Sequence, residues 1–373
     1  MADKIFWLWL MGLRGIGPKK KQCLLEAFGD PKALFDSDRG TLAASGLLKP
    51  QEIDKILGGR DLTKAREVLS FCRWEGAAFI TPEEEVYPQG LRNLYTPPLG
   101  LFAKGELALL KTDCSIAVVG SRNATLSGRI LARSFAKSLS AAGVTVVSGL
   151  AEGIDGEAHI GALEGPGATI AVMGTGIDRC YPAQNRALYL KIAQAGLLLT
   201  EFFPGERPQP YHFPQRNRII SGLADGLLVV EAREKSGAMI TVDYALEQGK
   251  NVYALPGDIL VSQKAGTNRL IKEGARMITA PQEILEDFAA KEGPPAEAQS
   301  RKPQTEAFIE TLEDEDQRRC LKQIVQGCDT LDNLALVTGL DIRRVNVAVS
   351  MLELLGAVAV SRGKIVLVPG GIG

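Results

Sequence analysis

Val144-Thr145-Val146-Val147-Ser148-Gly149-Leu150-Ala151-Glu152-Gly153-Ile154-Asp155 is the stretch that decides the fold. A short apolar run feeds a glycine-containing loop, and a helical pattern opens behind it. The same unit recurs along the chain. Apolar runs stand at Ile116–Val119, Val144–Val147, Thr169–Met173, Leu197–Thr200, Gly226–Val230 and Asn251–Leu255, with helical patterns between them. Continuous apolar strands alternating with helices indicate an α/β fold whose parallel sheet is covered on both faces. The alternation covers about 111–290. Residues 71–110 read as an extension packed on it, with a strand at Ala77–Ile80 and a rigid turn at Tyr95-Thr96-Pro97-Pro98. One domain is therefore expected over 71–290.

Residues 1–70 read as a separate helical domain, with apolar residues at helical spacing around Cys23–Phe28 and Ile53–Leu57. Within it, Leu13-Arg14-Gly15-Ile16-Gly17-Pro18-Lys19-Lys20-Lys21 resembles a helix-hairpin-helix turn. Gly15 and Gly17 would aim backbone N–H groups, and Lys19, Lys20 and Lys21 their ammonium groups, at a phosphate. A plain connector with solvated lysines is the other reading. Residues 291–306 are Glu/Pro/Gln/Ser-rich and read as a linker. Residues 307–373 show three helices (Arg318–Val325, Leu331–Val337, Ile342–Leu355) and two short strands (Val358–Ser361, Lys364–Val368). That is the winged-helix pattern. This module is expected to fold independently of the sheet domain.

The composition bounds what such a chain can be. Hydrophobic residues make up 45% and charged residues 23% of 373, enough for sizeable cores. The formal net charge of −1 argues against coating nucleic acid by bulk charge and leaves room for a local basic pocket. The apolar stretch Ile5–Leu13 is too short to span a membrane and reads as a core helix. A cytoplasmic protein is expected. The six cysteines are scattered, without a C-x-x-C pair or a nearby histidine, so reduced thiols and no metal are expected.

In an open parallel sheet, ligands bind outside the carboxyl ends of the strands. The loops there are Gly120-Ser121-Arg122, Ser148 to Asp155, Gly174-Thr175-Gly176-Ile177-Asp178, Glu201-Phe202-Phe203, Glu231 to Gly237 and Pro256-Gly257-Asp258. Nearly all contain glycine, which lets backbone N–H groups approach an anion at a helix N-terminus. Arg122 is the sharpest candidate, since its guanidinium can fork onto a phosphate. A salt bridge to a loop carboxylate such as Asp155 is its bland reading. In Phe213-Pro214-Gln215-Arg216-Asn217-Arg218 the two arginines cannot share a helix face. One is expected to face ligand, and the other solvent or a carboxylate. Phe213 either stacks a base or packs in the core. Asp155 and His159, at i and i+4, read as an N-cap aspartate beside a packing histidine. A P-loop, a full dinucleotide fingerprint and a G-x-S-x-G elbow are absent.

Taken in order, these loops resemble the DNA-processing protein A (DprA/Smf) family. The stretches that carry the resemblance are Gly120-Ser121-Arg122, Ser148–Asp155 with Ala158-His159, Gly174–Pro182, Phe213–Leu223, Val229–Ala232 with Ser236-Gly237, and Ala254–Gly257. The resemblance implies an extended Rossmann-like domain, with accessories matching a helix-hairpin-helix or SAM-like domain and a winged helix. It implies single-stranded DNA binding, loading of the RecA recombinase during natural transformation, a homodimer, and neither cofactor nor catalytic activity. It carries a DNA-phosphate contact to Arg122 and the basic stretch to Arg216 and Arg218; with the strand-end loops, the expected DNA-binding set is Gly120, Ser121, Arg122, Ser148, Gly149, Gly153, Asp155, Gly174, Gly176, Arg216, Asn217, Arg218, Ser236 and Gly237. Where relatives often carry a lysine after Tyr181-Pro182, this chain has Ala183; either nearby Arg186 or Lys191 substitutes, or affinity is lower. The alternative is a Rossmann-like enzyme that cleaves nucleoside monophosphates. Its Pro-Gly-Gly-x-Gly-Thr loop is broken here at Pro256-Gly257-Asp258, and release of a free base would discriminate. A winged-helix repressor is a weaker third reading, because Ile342–Leu355 offers DNA Arg343 and Arg344 alone.

Overall fold

Nine strands form one sheet in the order β1-β2-β6-β5-β4-β3-β7-β8-β9, as given by a computed structural model that describes residues 2–289, 309, 312, 314–325, 327–361 and 364–368. Its parallel part is β3 (Ser115–Val119), β4 (Thr145–Ser148), β5 (Thr169–Val172), β6 (Leu197–Thr200), β7 (Gly226–Val229), β8 (Asn251–Ala254) and the short β9 (Arg276–Met277). β1 (Ala78–Ile80) and β2 (Leu101–Gly105) add an antiparallel edge against β6. Residues 71–110 therefore extend the sheet itself. β2 and β9 were not among the expected strands.

Burial explains the composition of these strands. On β3, Ile116 and Val118 face one helical layer with Phe135 and Leu139, while Ala117 and Val119 face the other with Ile219 and Ile220. Successive side chains point to opposite faces, so a sheet covered on both sides has no polar positions to spare.

Six helices precede the sheet: α1 (Ala2–Gly12), α2 (Pro18–Phe28), α3 (Pro31–Asp36), α4 (Arg39–Ala44), α5 (Pro50–Gly58) and α6 (Thr63–Glu75). α1 is buried on two sides. Trp9 and Leu10 join the core of the helical domain, and Trp7 and Leu8 pack with Phe102 and Leu198 of the sheet. This accounts for the long apolar run at Ile5–Leu13. No described helix is long and apolar enough to cross a membrane.

The sheet's own helices are α7 (Gln89–Arg92), α8 (Leu126–Ala141), α9 (Ile154–Glu164), α10 (Arg186–Ala195), α11 (His212–Leu223), α12 (Gly237–Glu247), α13 (Ala265–Lys272) and α14 (Gln282–Ala289). After them come α15 (Glu315–Val325), α16 (Leu331–Thr338), α17 (Ile342–Leu354) and an antiparallel hairpin of β10 (Val358–Ser361) and β11 (Lys364–Leu367). These close on their own core of Leu321, Leu334, Val345, Val349 and Ile365. The expected linker at 291–306 lies outside the described residues.

The chain runs from β3 outward through β4, β5 and β6, then returns to place β7 on the other side of β3. The two halves diverge there, and a crevice opens outside the carboxyl ends of β3 and β7.

Candidate functional site

A cleft of about 690 Å³ occupies that crevice. Its walls are the loop after β3 (Gly120 to Asn123), the loop after β7 (Arg233 and Ser236), the first turns of α11 and α12, and Pro208–Pro210. The expected residues it brings together are Gly120, Ser121, Arg122, Asp155, Arg216, Asn217, Ser236 and Gly237.

Backbone contacts fix the loops. The Ser121 N–H donates to the Glu231 carbonyl at 2.7 Å, and the Ile154 N–H donates to the Ser121 carbonyl at 3.2 Å. The loop after β3 is thus held between those after β4 and β7. Gly153 sits at φ 77°, and a Cβ there would lie 2.3 Å from the Ser121 carbonyl oxygen. No other residue type fits that approach.

Arg122 is exposed, and its guanidinium lies over the Phe213 ring at 5.3 Å from the centroid. Among the described residues it forms no salt bridge, so the proposed pairing with Asp155 is not the arrangement found. The cation–π contact steadies the guanidinium and leaves its N–H groups without a protein acceptor among the described residues. Phe213 also meets Tyr181, with centroids 5.4 Å apart. It is half-buried against Gly174, where a Cβ would come within 2.9 Å of the ring. Phe213 packs on one side and lines the cleft on the other.

The two arginines of α11 separate as their spacing requires. Arg218 is buried and ion-paired with Glu201. It faces a carboxylate and does not line the cleft, which removes it from the candidate set. Arg216 is buried at the base of the cleft, and its Nη1 donates to the carbonyls of Gly149, at 2.6 Å, and Val172. Burial pushes its pKa down to about 10, so it stays charged at neutral pH. Burial raises the pKa of Asp155, against the opposing pull of Arg216, the Ala151 N–H and Arg122. A Cβ on Gly149 would fall 2.5 Å from Arg216 Nη1 and 2.6 Å from Asp155 Oδ2, so this glycine makes room for the pair.

Other expected residues serve the scaffold. Ser148 is buried and donates to the Val118 carbonyl at 2.6 Å. The Gly174 carbonyl accepts from His212 Nδ1 at 3.1 Å. Gly176 packs on the Phe203 carbonyl. Ser148, Gly149, Gly153, Gly174 and Gly176 therefore shape the cleft from beneath and do not line it. The N-cap of α9 is Gly153, not Asp155. His159 is fully buried, with its pKa pushed down to about 3 by burial and then by Arg216. The Thr169 hydroxyl donates to the Val146 carbonyl, so neutral His159 donates from Nδ1 to that hydroxyl at 2.7 Å. Its Nε2 accepts from the Leu150 N–H at 3.3 Å. It supports Leu150, whose φ of 57° is unusual for a leucine.

Of the lysines in the Leu13–Lys21 turn, Lys20 and Lys21 are engaged elsewhere. Lys20 pairs with Glu52 at 2.8 Å, and Lys19 lies over Tyr95 at 4.4 Å. Lys21 is buried, donates to the Met11 carbonyl at 2.7 Å, and has its pKa pushed down to about 8 by burial. Lys21 is therefore withdrawn as a phosphate contact. Arg186 is exposed at the start of α10 but does not line the cleft. Residues missed from sequence are Asn123, Tyr181, Gln209, Arg233 and Thr241. Arg233 had a usable signal, a basic residue in the loop just before Ser236-Gly237. Among the described residues, no group of three or more His, Cys, Asp or Glu side chains could hold a metal.

The sequence pattern of the DNA recombination-mediator protein A family matches residues 78–289, the whole of this sheet and its helices. The chain belongs to that family. DNA recombination-mediator relatives include the DNA processing protein DprA of Bacillus subtilis, 41% identical over 225 residues, which are 60% of this chain and 76% of the relative. The X-ray structure of DprA from Streptococcus pneumoniae aligns with a TM-score of 0.68 at 35% identity, covering 76% of this chain and 97% of that one. DNA processing protein A from Helicobacter pylori, whose structure concerns its single-stranded DNA binding mode, aligns with a TM-score of 0.53 at 30% identity. It covers 57% of this chain and 96% of that one.

Proposed function

We propose that this chain binds single-stranded DNA in the cleft and passes it to a RecA-type recombinase, acting as a homodimer without catalysis of its own. The observation that supports this best is the exposed Arg122 guanidinium stacked on Phe213 at the switch point of the sheet. Charge and ring together suit a phosphate and its neighbouring base. Arg122, Arg216 and Arg233 face a single lining carboxylate, Asp155. The Helicobacter pylori relative supplies the ligand class. A nucleoside-monophosphate hydrolase finds less support. Gly257 is tied to Asn268, its N–H donating at 3.1 Å and its carbonyl accepting at 2.8 Å, and it does not line the cleft.

Binding should favour single strands over duplex, ignore sequence and weaken with salt. Each neutralised phosphate contributes a slope of about −0.7 in log K against log salt, so three arginines give about −2. Fluorescence anisotropy of labelled oligothymidylate across a salt series measures this. Salt-independent binding, or equal affinity for duplex, would defeat the proposal.

The C-terminal module should add little to this affinity. Arg344 is spent on Asp316, to which it donates from both Nε and Nη2 at 2.7 Å. The exposed face of α17 carries Val347, Met351 and Leu354. A chain ending at Gln304 should keep its single-strand affinity to within about tenfold, or ~1.4 kcal/mol. A larger loss at matched salt would place a main DNA site in residues 307–373.

A further inference from the structure

The turn after α1 borders a second groove, of about 480 Å³, between the helical domain and the loop after β6. Leu8, Trp9 and Phe203 form its floor, and Arg14, Lys55 and Lys64 stand around it. All three cations are exposed, and among the described residues none forms an ion pair. Lys64 lies over the Phe203 ring at 5.5 Å. Lys55 lies against the turn itself: Gly15 has φ 76°, and a Cβ there would be 2.5 Å from Lys55 Nζ. Among the described residues, Asp61 is the one carboxylate in the lining, so the three cations outnumber it, and Glu206 lies nearby. Asp61 accepts from the Thr63 N–H at 2.9 Å, and Glu206 faces His212 at 3.9 Å.

One loop joins this groove to the cleft. Phe203 walls the groove, and Pro208, Gln209 and Pro210 of the same connection between β6 and α11 wall the cleft. We propose that the groove formed by Arg14, Lys55, Lys64 and Phe203 is a second nucleic-acid subsite. It takes the phosphodiester backbone of the strand that leaves the cleft, with a base against Phe203. The inference rests on the proposed strand-binding role of the cleft. It assigns the turn a phosphate role through Arg14 and two lysines from later helices, in place of Lys19–Lys21. Three cations over an aromatic floor, continuous with a basic cleft, match a flexible polyanion with exposed base faces.

The test uses full-length protein and two oligothymidylates: the shortest that the wild type retains, and one several times longer. Arg14→Ala, Lys55→Ala and Lys64→Ala are combined in one variant. The variant should bind the short strand as the wild type does, which also shows that it is folded. For the long strand it should lose roughly tenfold in affinity and about 2 from the salt slope, at about 0.7 per phosphate. A control variant carrying Lys137→Ala, Lys272→Ala and Lys322→Ala removes the same charge elsewhere and should change neither. Unchanged long-strand affinity in the groove variant overturns the subsite while the cleft reading stands. An equal loss in the control also overturns it, since net charge then explains the effect. Failure of the wild type to bind either strand overturns both readings.

Discussion

Arg122→Ala should lower single-strand affinity by about one to two decades and the melting temperature by no more than about 4 °C. A hydrogen bond to a charged group contributes about 1.5–3 kcal/mol, and each 1.4 kcal/mol is a factor of ten. Arg122 is exposed and, among the described residues, without an ion pair, so its removal strands no buried charge. What folding loses is the contact with the Phe213 ring, worth about 0.5–1 kcal/mol at an exposed site. Arg122→Lys should fall between the two, because a lysine keeps the charge and loses both the fork and the planar stack. Anisotropy titration beside a thermal melt separates the outcomes. Equal affinity for wild type and Arg122→Ala would remove Arg122 from the binding site.

The position of Arg122 was legible because it rests on local pattern alone. A buried strand, a glycine and a helix start place the intervening residue at the sheet's carboxyl edge whatever the rest of the chain does. Arg216 and Arg218 mark the boundary of that logic. Two residues apart on a helix they must diverge, but which one meets a carboxylate depends on Glu201, which arrives from another strand end. Two of the turn lysines, Lys20 and Lys21, are lost to ligand for the same reason. Glu52 and the Met11 carbonyl claim them, and neither is predictable from the turn itself. The loop glycines were found, but the reason given for several was incomplete. Gly149 and Gly174 make room for protein side chains, and adding a Cβ would displace Arg216 or Phe213 before any ligand arrived. β2 was missed because its pairing is non-local: Leu101–Gly105 becomes a strand by lying antiparallel on β6, nearly a hundred positions away. β9 is two residues long and carries no periodic signal.

Beneath the cleft, a charge that the sequence gives no reason to single out should have the largest effect on stability. Glu231 is fully buried at the end of β7, and its Oε1 lies 3.1 Å from Lys264 Nζ, itself buried. The same carboxylate accepts from the Thr125 N–H at 2.9 Å and from its hydroxyl at 2.5 Å, anchoring the start of α8 directly behind Arg122. Gly128 packs so closely that a Cβ there would fall 2.2 Å from the carboxyl carbon. Glu231→Ala would leave a buried ammonium and two Thr125 donors without their acceptor. Breaking a buried pair from one side costs about 3–5 kcal/mol, a large share of a total stability of about 5–15 kcal/mol. Urea unfolding followed by circular dichroism should show that loss in the midpoint. Removing both charges behaves differently, because no lone ion remains: Glu231→Gln combined with Lys264→Met should recover much of the deficit relative to Glu231→Ala. The double variant should also keep Arg122-dependent strand binding if the loop's backbone bonds, Ser121 to Glu231 and Ile154 to Ser121, are what hold it. A single variant that loses less than about 1 kcal/mol, the ordinary size of a point-mutant effect, would show that water or rearrangement satisfies Lys264 and that the pair does not anchor the loop.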